Sequence, residues 1–121
     1  MTSDVITVKK DTPINNAIEI LLEKDITGLP VVEDDMTLIG VISEKDILSV
    51  LYDSKNDSAK VEDFMTKEIV SFEVHEEFIN IYQCLINNNF RRIPIVADGK
   101  LVGIISRSDI IKYLYEPIEY V

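Results

Sequence analysis

Apolar positions along this chain follow one order and then follow it again. A short β-rich run, VITV (5–8), leads to Ile14, Ala17, Ile18, Leu21 and Leu22, which are spaced as one face of a helix. Thr12 is predicted to be the N-cap of that helix and Pro13 its first residue. LPVV (29–32) and LIGVI (38–42) then read as two strands with a turn marked by Glu33-Asp34-Asp35. The first opens beside a proline, which a strand tolerates at its start. Ser43 is placed to cap a second helix over 44–52.

The second round begins at IVSF (69–72) and repeats the helical face at Phe78, Ile81, Tyr82, Leu85 and Ile86, ending near Asn87-Asn88-Asn89. IPIV (93–96) and LVGII (101–105) are the matching strands, joined at Asp98-Gly99, a strong hairpin signal. Ser106 caps the last helix, 107–115. Each round therefore reads strand–helix–strand–strand–helix.

The two rounds are a duplication. Met1-Thr2 falls on Met65-Thr66, GLPVV (28–32) on RIPIV (92–96), and, after one deletion in the second turn, GVISEKDIL (40–48) on GIISRSDII (103–111). An internal repeat decides the fold before any single motif does. The expectation is an α+β (α/β-like) fold of two βαββα repeats packed about a pseudo-two-fold axis. Residues 1–58 would form the first repeat, the polar stretch 53–60 a linker, and 61–121 the second repeat. VEDFM (61–65) is expected to make a helical turn that packs onto the second repeat. A half of about 60 residues buries only roughly 60% of its unfolded surface, so each half should be marginal alone.

Three ordered features carry a family resemblance: M-T-x-x-h-h-(T/S)-h before each first strand, h-P-h-V on the second, and G-h-h-S-x-x-D-h-h leading into the last helix. Found twice and in order, they make the chain resemble a tandem pair of cystathionine β-synthase (CBS) domains, a Bateman module. The resemblance implies a regulatory module that binds AMP, ADP, ATP, S-adenosylmethionine or a relative in the cleft between repeats. It implies no required cofactor and a partner such as an effector enzyme or transporter.

Asp46 and Asp109, at the end of each S-x-x-D phrase, have two readings. One is a capping box, in which the serine oxygen takes a helix amide and the acid reaches back to the serine's own amide. The other is ribose binding, since an ionised carboxylate offers two acceptor oxygens to a pair of sugar hydroxyls. Both readings can hold together. By the resemblance, Ser106 and Asp109 would work with Ile6, Ile26 and Thr27, which would hold adenine between aliphatic side chains. The mirrored site would use Ser43 and Asp46 with Val70, Phe90 and Arg91. Arg91 and Arg92 bring guanidinium groups suited to phosphate, or else lie at a solvated helix end. Lys45 and Arg107 are candidates for phosphate or for solvent.

Composition narrows the partners. The 121 residues are 46% hydrophobic and 28% charged with a net charge of −10, ordinary for a folded domain but repulsive to nucleic acid and anionic membrane surfaces. No apolar run reaches the ~18–20 residues of a membrane span, and no signal-peptide pattern opens the chain. The single cysteine, Cys84, suits a reducing, cytoplasmic compartment. Gly28, Gly40, Gly99 and Gly103 stand apart, so there is no glycine-rich phosphate loop. With one histidine, His75, expected in an exposed loop, and an inert Cys84 on the polar side of its helix, no metal site or nucleophile–base pair can be assembled. No catalysis is expected. The runner-up is a protein-interaction or dimerisation module with empty clefts. Leu48, Val50, Leu51 and Tyr52, with Ile111, Tyr113, Leu114 and Tyr115, exceed what each half can bury, and a homodimer is expected.

Overall fold

Two three-stranded sheets of the same design organise the chain in this computed structural model, which describes residues 3–53 and 58–115. The first sheet holds β1 (Val8–Lys9), β2 (Gly28–Val32) and β3 (Leu38–Ser43), with helices α1 (Ile14–Lys24) and α2 (Glu44–Asp53). The second holds β4 (Phe72–Glu73), β5 (Arg92–Ala97) and β6 (Lys100–Ser106), with α3 (Phe78–Asn87) and α4 (Arg107–Tyr115). The strand–helix–strand–strand–helix order read from the sequence is therefore the observed one in both repeats.

The middle strand of each sheet pairs parallel with the first and antiparallel with the third. That position explains the unbroken apolar runs: Leu29, Val31 and Val32 are fully buried. It also explains how a central strand accommodates proline. β1 begins pairing only at Val31, and opposite Pro30 both backbone groups of Val41 are bonded to Thr66 instead. The missing amide therefore leaves no acceptor orphaned. Asp98 and Gly99 both take positive φ (52° and 81°), as a two-residue hairpin between β5 and β6 requires.

One face of α1, formed by Ile14, Ala17 and Leu21, packs with Leu29, Val31, Ile42 and Ile47 into the first core. Ile81 and Leu85 of α3 pack with Ile93, Ile95 and Ile110 into the second. Several local expectations are corrected. The leading strands are only two residues long, because VITV and IVSF touch their sheets at their last residue alone. Thr12 does not cap α1. Its hydroxyl accepts from the Lys9 amide at 3.1 Å and closes the turn after β1, leaving Pro13 at the cap position. Leu22, on the expected buried face, is 76% exposed, and Ile86 is exposed at the matching place. Cys84 is half-buried and packs against the second core, whereas the polar side of the helix was expected. His75 is exposed in a turn, as expected.

The largest correction concerns residues 59–69. VEDFM does begin a helical turn, a 3-10 helix at Val61–Asp63, but Ala59 and Val61 are buried in the first core and not the second. The described residues divide into two compact units, 6–69 and 70–115, with residues 3–5 grouped with the latter. Part of the expected 53–60 linker lies outside the described residues. Lys60 bridges to Pro13, and Thr66 bridges to Val41, adding a rung at the open edge of β3. The Thr66 carbonyl accepts from the Val41 amide at 3.0 Å and its amide donates back at 2.8 Å.

Gly40 makes that approach possible. A Cβ built there would lie 2.7 Å from the Met65 sulfur and 3.1 Å from the Thr66 carbonyl oxygen. At Gly28 the nearest atom would be at 3.4 Å, an ordinary contact. Gly40→Ala is accordingly expected to cost about 1–3 kcal/mol through overpacking, with melting lowered by roughly 4 °C or more. Gly28→Ala should change stability by no more than about 0.5 kcal/mol. Parallel thermal melts of the two variants check this, and equal melting temperatures would contradict it.

Candidate functional site

Each sheet hands its last strand directly to a helix, with a serine as the corner residue. Ser43 ends β3 and Glu44 begins α2; Ser106 ends β6 and Arg107 begins α4. An amide-rich helix start needs acceptors, and both corners supply them in the same way. The Ser43 amide donates to Asp46 Oδ2 at 2.9 Å, the Ser43 hydroxyl donates to the same oxygen at 2.9 Å, and the Asp46 amide donates to Ser43 Oγ at 3.3 Å. At the second corner the three distances are 2.8, 3.1 and 3.3 Å. The capping reading is thus realised in both repeats, despite the shorter acid.

The box also sits beside the start of the middle strand. Glu44 donates its amide to the Thr27 carbonyl at 3.0 Å, and Gly28 is the register partner of Ser43. Ile26 packs half-buried on the first core. So Ile26, Thr27, Ser43 and Asp46 meet within one unit. In the second unit the Arg107 amide donates to the Arg91 carbonyl at 3.2 Å, Arg92 pairs with Ser106, and Phe90 packs half-buried on the core. Phe90, Arg91, Ser106 and Asp109 meet in turn. Ile6 and Val70, just ahead of β1 and β4, leave about two fifths of their surface exposed, at 41% and 43%.

One partner was not foreseen. Thr66, in the second repeat's M-T phrase, donates its hydroxyl to Asp46, 3.2 Å from Oδ1 and 3.3 Å from Oδ2. The acid therefore fastens the following segment as well as its own helix. The repeated M-T and S-x-x-D phrases could have signalled this, since both recur in register, but nothing in spacing alone says that they touch.

The basic residues divide. Arg107 sends Nη2 to the carbonyls of Asn88 and Leu85, at 3.1 and 3.4 Å, and so caps the end of α3. Arg91 and Arg92 are exposed at the start of β5 and not at a helix end. Lys45 is exposed on α2, lining a shallow depression with Leu48, Ser49, Leu51 and Tyr52. Among the described residues no three His, Cys, Asp or Glu side chains gather as metal ligands would, and no helix is long and apolar enough to cross a membrane.

The CBS domain family profile matches residues 1–53 and 61–116. An uncharacterized protein of Methanocaldococcus jannaschii is 36% identical over 94% of this chain and 41% of its own length. The inosine-5'-monophosphate dehydrogenase of the same organism is 36% identical over 90% of this chain and 21% of its length. The chain thus spans less than half of these curated relatives. Among solved structures, CBSX2 in complex with AMP superposes with a TM-score of 0.85 at 34% identity, covering 96% of this chain and 93% of that one. A Vibrio cholerae acetoin utilization protein, AcuB, shares the fold with a TM-score of 0.84 at 23% identity.

The serine of each box carries a cap bond worth about 1 kcal/mol. Ser43→Ala and Ser106→Ala are each expected to lower stability by about that amount. Ser43→Ala combined with Thr66→Val should cost more than the sum of the two single changes, because both side chains serve one carboxylate. Denaturant titration of the four proteins measures this. Strict additivity would mean that Thr66 does not support Asp46.

Proposed function

The chain belongs to the CBS domain family, two copies in tandem, and we propose that it is a regulatory module whose effector is an adenosyl compound of the AMP, ADP, ATP or S-adenosylmethionine class. The observation that carries this reading is the twice-built Ser–Asp corner, an ionisable acid and a hydroxyl beside the entry to the middle strand, in a chain 34% identical to a CBS pair crystallised with AMP. Asp109 and Ser106 hold the ribose of one ligand, with Ile6, Ile26 and Thr27 against its adenine. Asp46 and Ser43 serve a second, with Val70, Phe90 and Arg91. Binding is paired with signalling and not with turnover. The module needs no cofactor, acts in the cytoplasm, forms a homodimer and reports to an effector enzyme or transporter.

The capping bonds do not compete with this role. Oδ2 of each acid accepts from its serine and Asp46 accepts from Thr66 as well, but each carboxylate oxygen can take more than one hydrogen bond, so a sugar hydroxyl can join these donors. The first ligand site lacks the arginine that Arg91 brings to the second. Phosphorylated ligands should therefore favour the Asp46 site, and neutral or cationic ones the Asp109 site.

Calorimetric titration with AMP, ATP and S-adenosylmethionine tests the assignment on Asp46→Asn, Asp109→Asn and the double variant. Asparagine keeps an oxygen for the serine amide while removing the charge. Each single change should cost about 1.5–3 kcal/mol at its own site, which is roughly a tenfold to 150-fold loss of affinity. Unchanged affinity in all three variants would remove the ribose role.

A second reading is favoured by the inward-bonded acids and by the apolar helical surfaces: a dimerisation module with empty clefts. A ligand at 100 times its dissociation constant should stabilise the native state by about 2.7 kcal/mol. No rise in melting temperature with any adenine compound would support the second reading.

A further inference from the structure

The two repeats end their first helices by different means. α1 finishes on the backbone alone. Asp25 takes a left-handed conformation (φ 51°, ψ 49°), its amide donates to the Leu21 carbonyl, and the Ile26 amide donates to the same oxygen at 3.2 Å. Such a left-handed end satisfies a last-turn carbonyl without help from any side chain. The duplication sets Asn89 against Asp25. Asparagine tolerates the left-handed region well, yet the described non-glycine residues of positive φ are Asp25, Met36 and Asp98, and Asn89 is not one of them. α3 instead stops at Asn87, and Asn88 is extended (φ −130°, ψ 165°).

Side chains close this second end. Asn88 donates its side-chain amide to the Cys84 carbonyl at 2.9 Å, and Arg107 Nη2 donates to the Asn88 and Leu85 carbonyls at 3.1 and 3.4 Å. The first repeat has Glu44 at the place of Arg107. An ionised glutamate only accepts and could not bond a carbonyl. A donor thus stands at this position in the repeat that lacks the left-handed turn, and an acceptor in the repeat that has one. The backbone tie at the corner is common to both, since the Glu44 amide reaches the Thr27 carbonyl as the Arg107 amide reaches that of Arg91. Only in the second repeat does one residue grip both ends of the short segment between helix and strand. The Arg107 guanidinium holds Asn88, its amide holds Arg91, and Phe90 lies between them.

We propose that Arg107 is a positioning residue: it fixes segment 88–91, and with it the place at which Phe90 and Arg91 are presented, without itself touching a ligand. The fixing of the segment stands on the hydrogen bonds above. Its consequence for binding rests on the adenosyl reading, in which Phe90 meets the adenine and Arg91 the phosphate. A residue that sets both should matter equally to a ligand with a phosphate and to one without. A residue that touches the phosphate should matter only to the first.

Two measurements on Arg107→Met, which keeps an apolar stem and removes the donors, decide this. In the ligand-free chain, hydrogen exchange should quicken about threefold to tenfold at the end of α3 and at the amide of residue 107, the worth of one ordinary hydrogen bond. The Val74 amide, bonded to the Val96 carbonyl at the other end of β5, should be unchanged. Arg107→Lys, which retains a charged donor, should recover part of the protection. Equal quickening at Val74 would mean a general loss of stability and would overturn the positioning role, as would unchanged exchange everywhere. Calorimetric titration with AMP and with adenosine should show both weakened by a similar factor. Loss for AMP alone would make Arg107 a phosphate contact and would also overturn the proposal. If the unsubstituted chain binds neither compound, the adenosyl reading falls, and the exchange rates still decide whether Arg107 holds the segment.

Discussion

An aspartate that turns back on the amide at the end of a strand is the contact on which the rest of each repeat depends. It sets the angle between the returning strand and the helix that follows, and it satisfies amides that a helix start leaves open. Asp46 goes further and accepts from Thr66, so that one carboxylate joins β3, α2 and the segment leading out of the repeat. The absence of a side chain at Gly40 and the backbone pairing of Val41 with Thr66 make the same junction from the other side. An acid required for structure is thereby held at a fixed place beside the start of the middle strand, where the Glu44 amide meets the Thr27 carbonyl.

Much of this was legible in the residues. The duplication, the element order, the hairpin at Asp98-Gly99 and the Ser–Asp boxes follow from short-range rules: period of apolar positions, turn chemistry, and capping. What escaped was set by contacts distant along the chain. Thr12 has the chemistry of an N-cap, but its hydroxyl is taken by the Lys9 amide. Leu22 and Ile86 share the helical spacing of buried residues, yet each lies one position beyond the sheet-facing stripe and borders a groove. Val61 joins the first core where its amide donates to the Thr12 carbonyl and the Glu62 amide to the Lys10 carbonyl, about fifty positions earlier, which no local pattern encodes.

The helix-start corners were legible as residues more than as a geometry. Sequence placed Ser43, Asp46, Ser106 and Asp109 correctly at helix starts, and the fold brings Thr27 and Arg91 to those corners through one backbone hydrogen bond each. The role of Arg107 was open in the sequence, and the structure commits its guanidinium to the end of α3. Duplication followed by divergence accounts for the pattern as a whole: apolar positions and corner residues are kept, while charged positions such as Asp25 and Glu44 in the first repeat are occupied by Asn89 and Arg107 in the second.

The central claim is that these carboxylates grip a sugar, and the ligand itself offers the most direct test. Binding of AMP is to be compared with binding of its 2',3'-dideoxy counterpart, which keeps adenine and phosphate and lacks both hydroxyls. The account predicts that the dideoxy compound binds about tenfold more weakly or worse, as loss of a charged hydrogen bond requires. Equal affinity for the two compounds would contradict it.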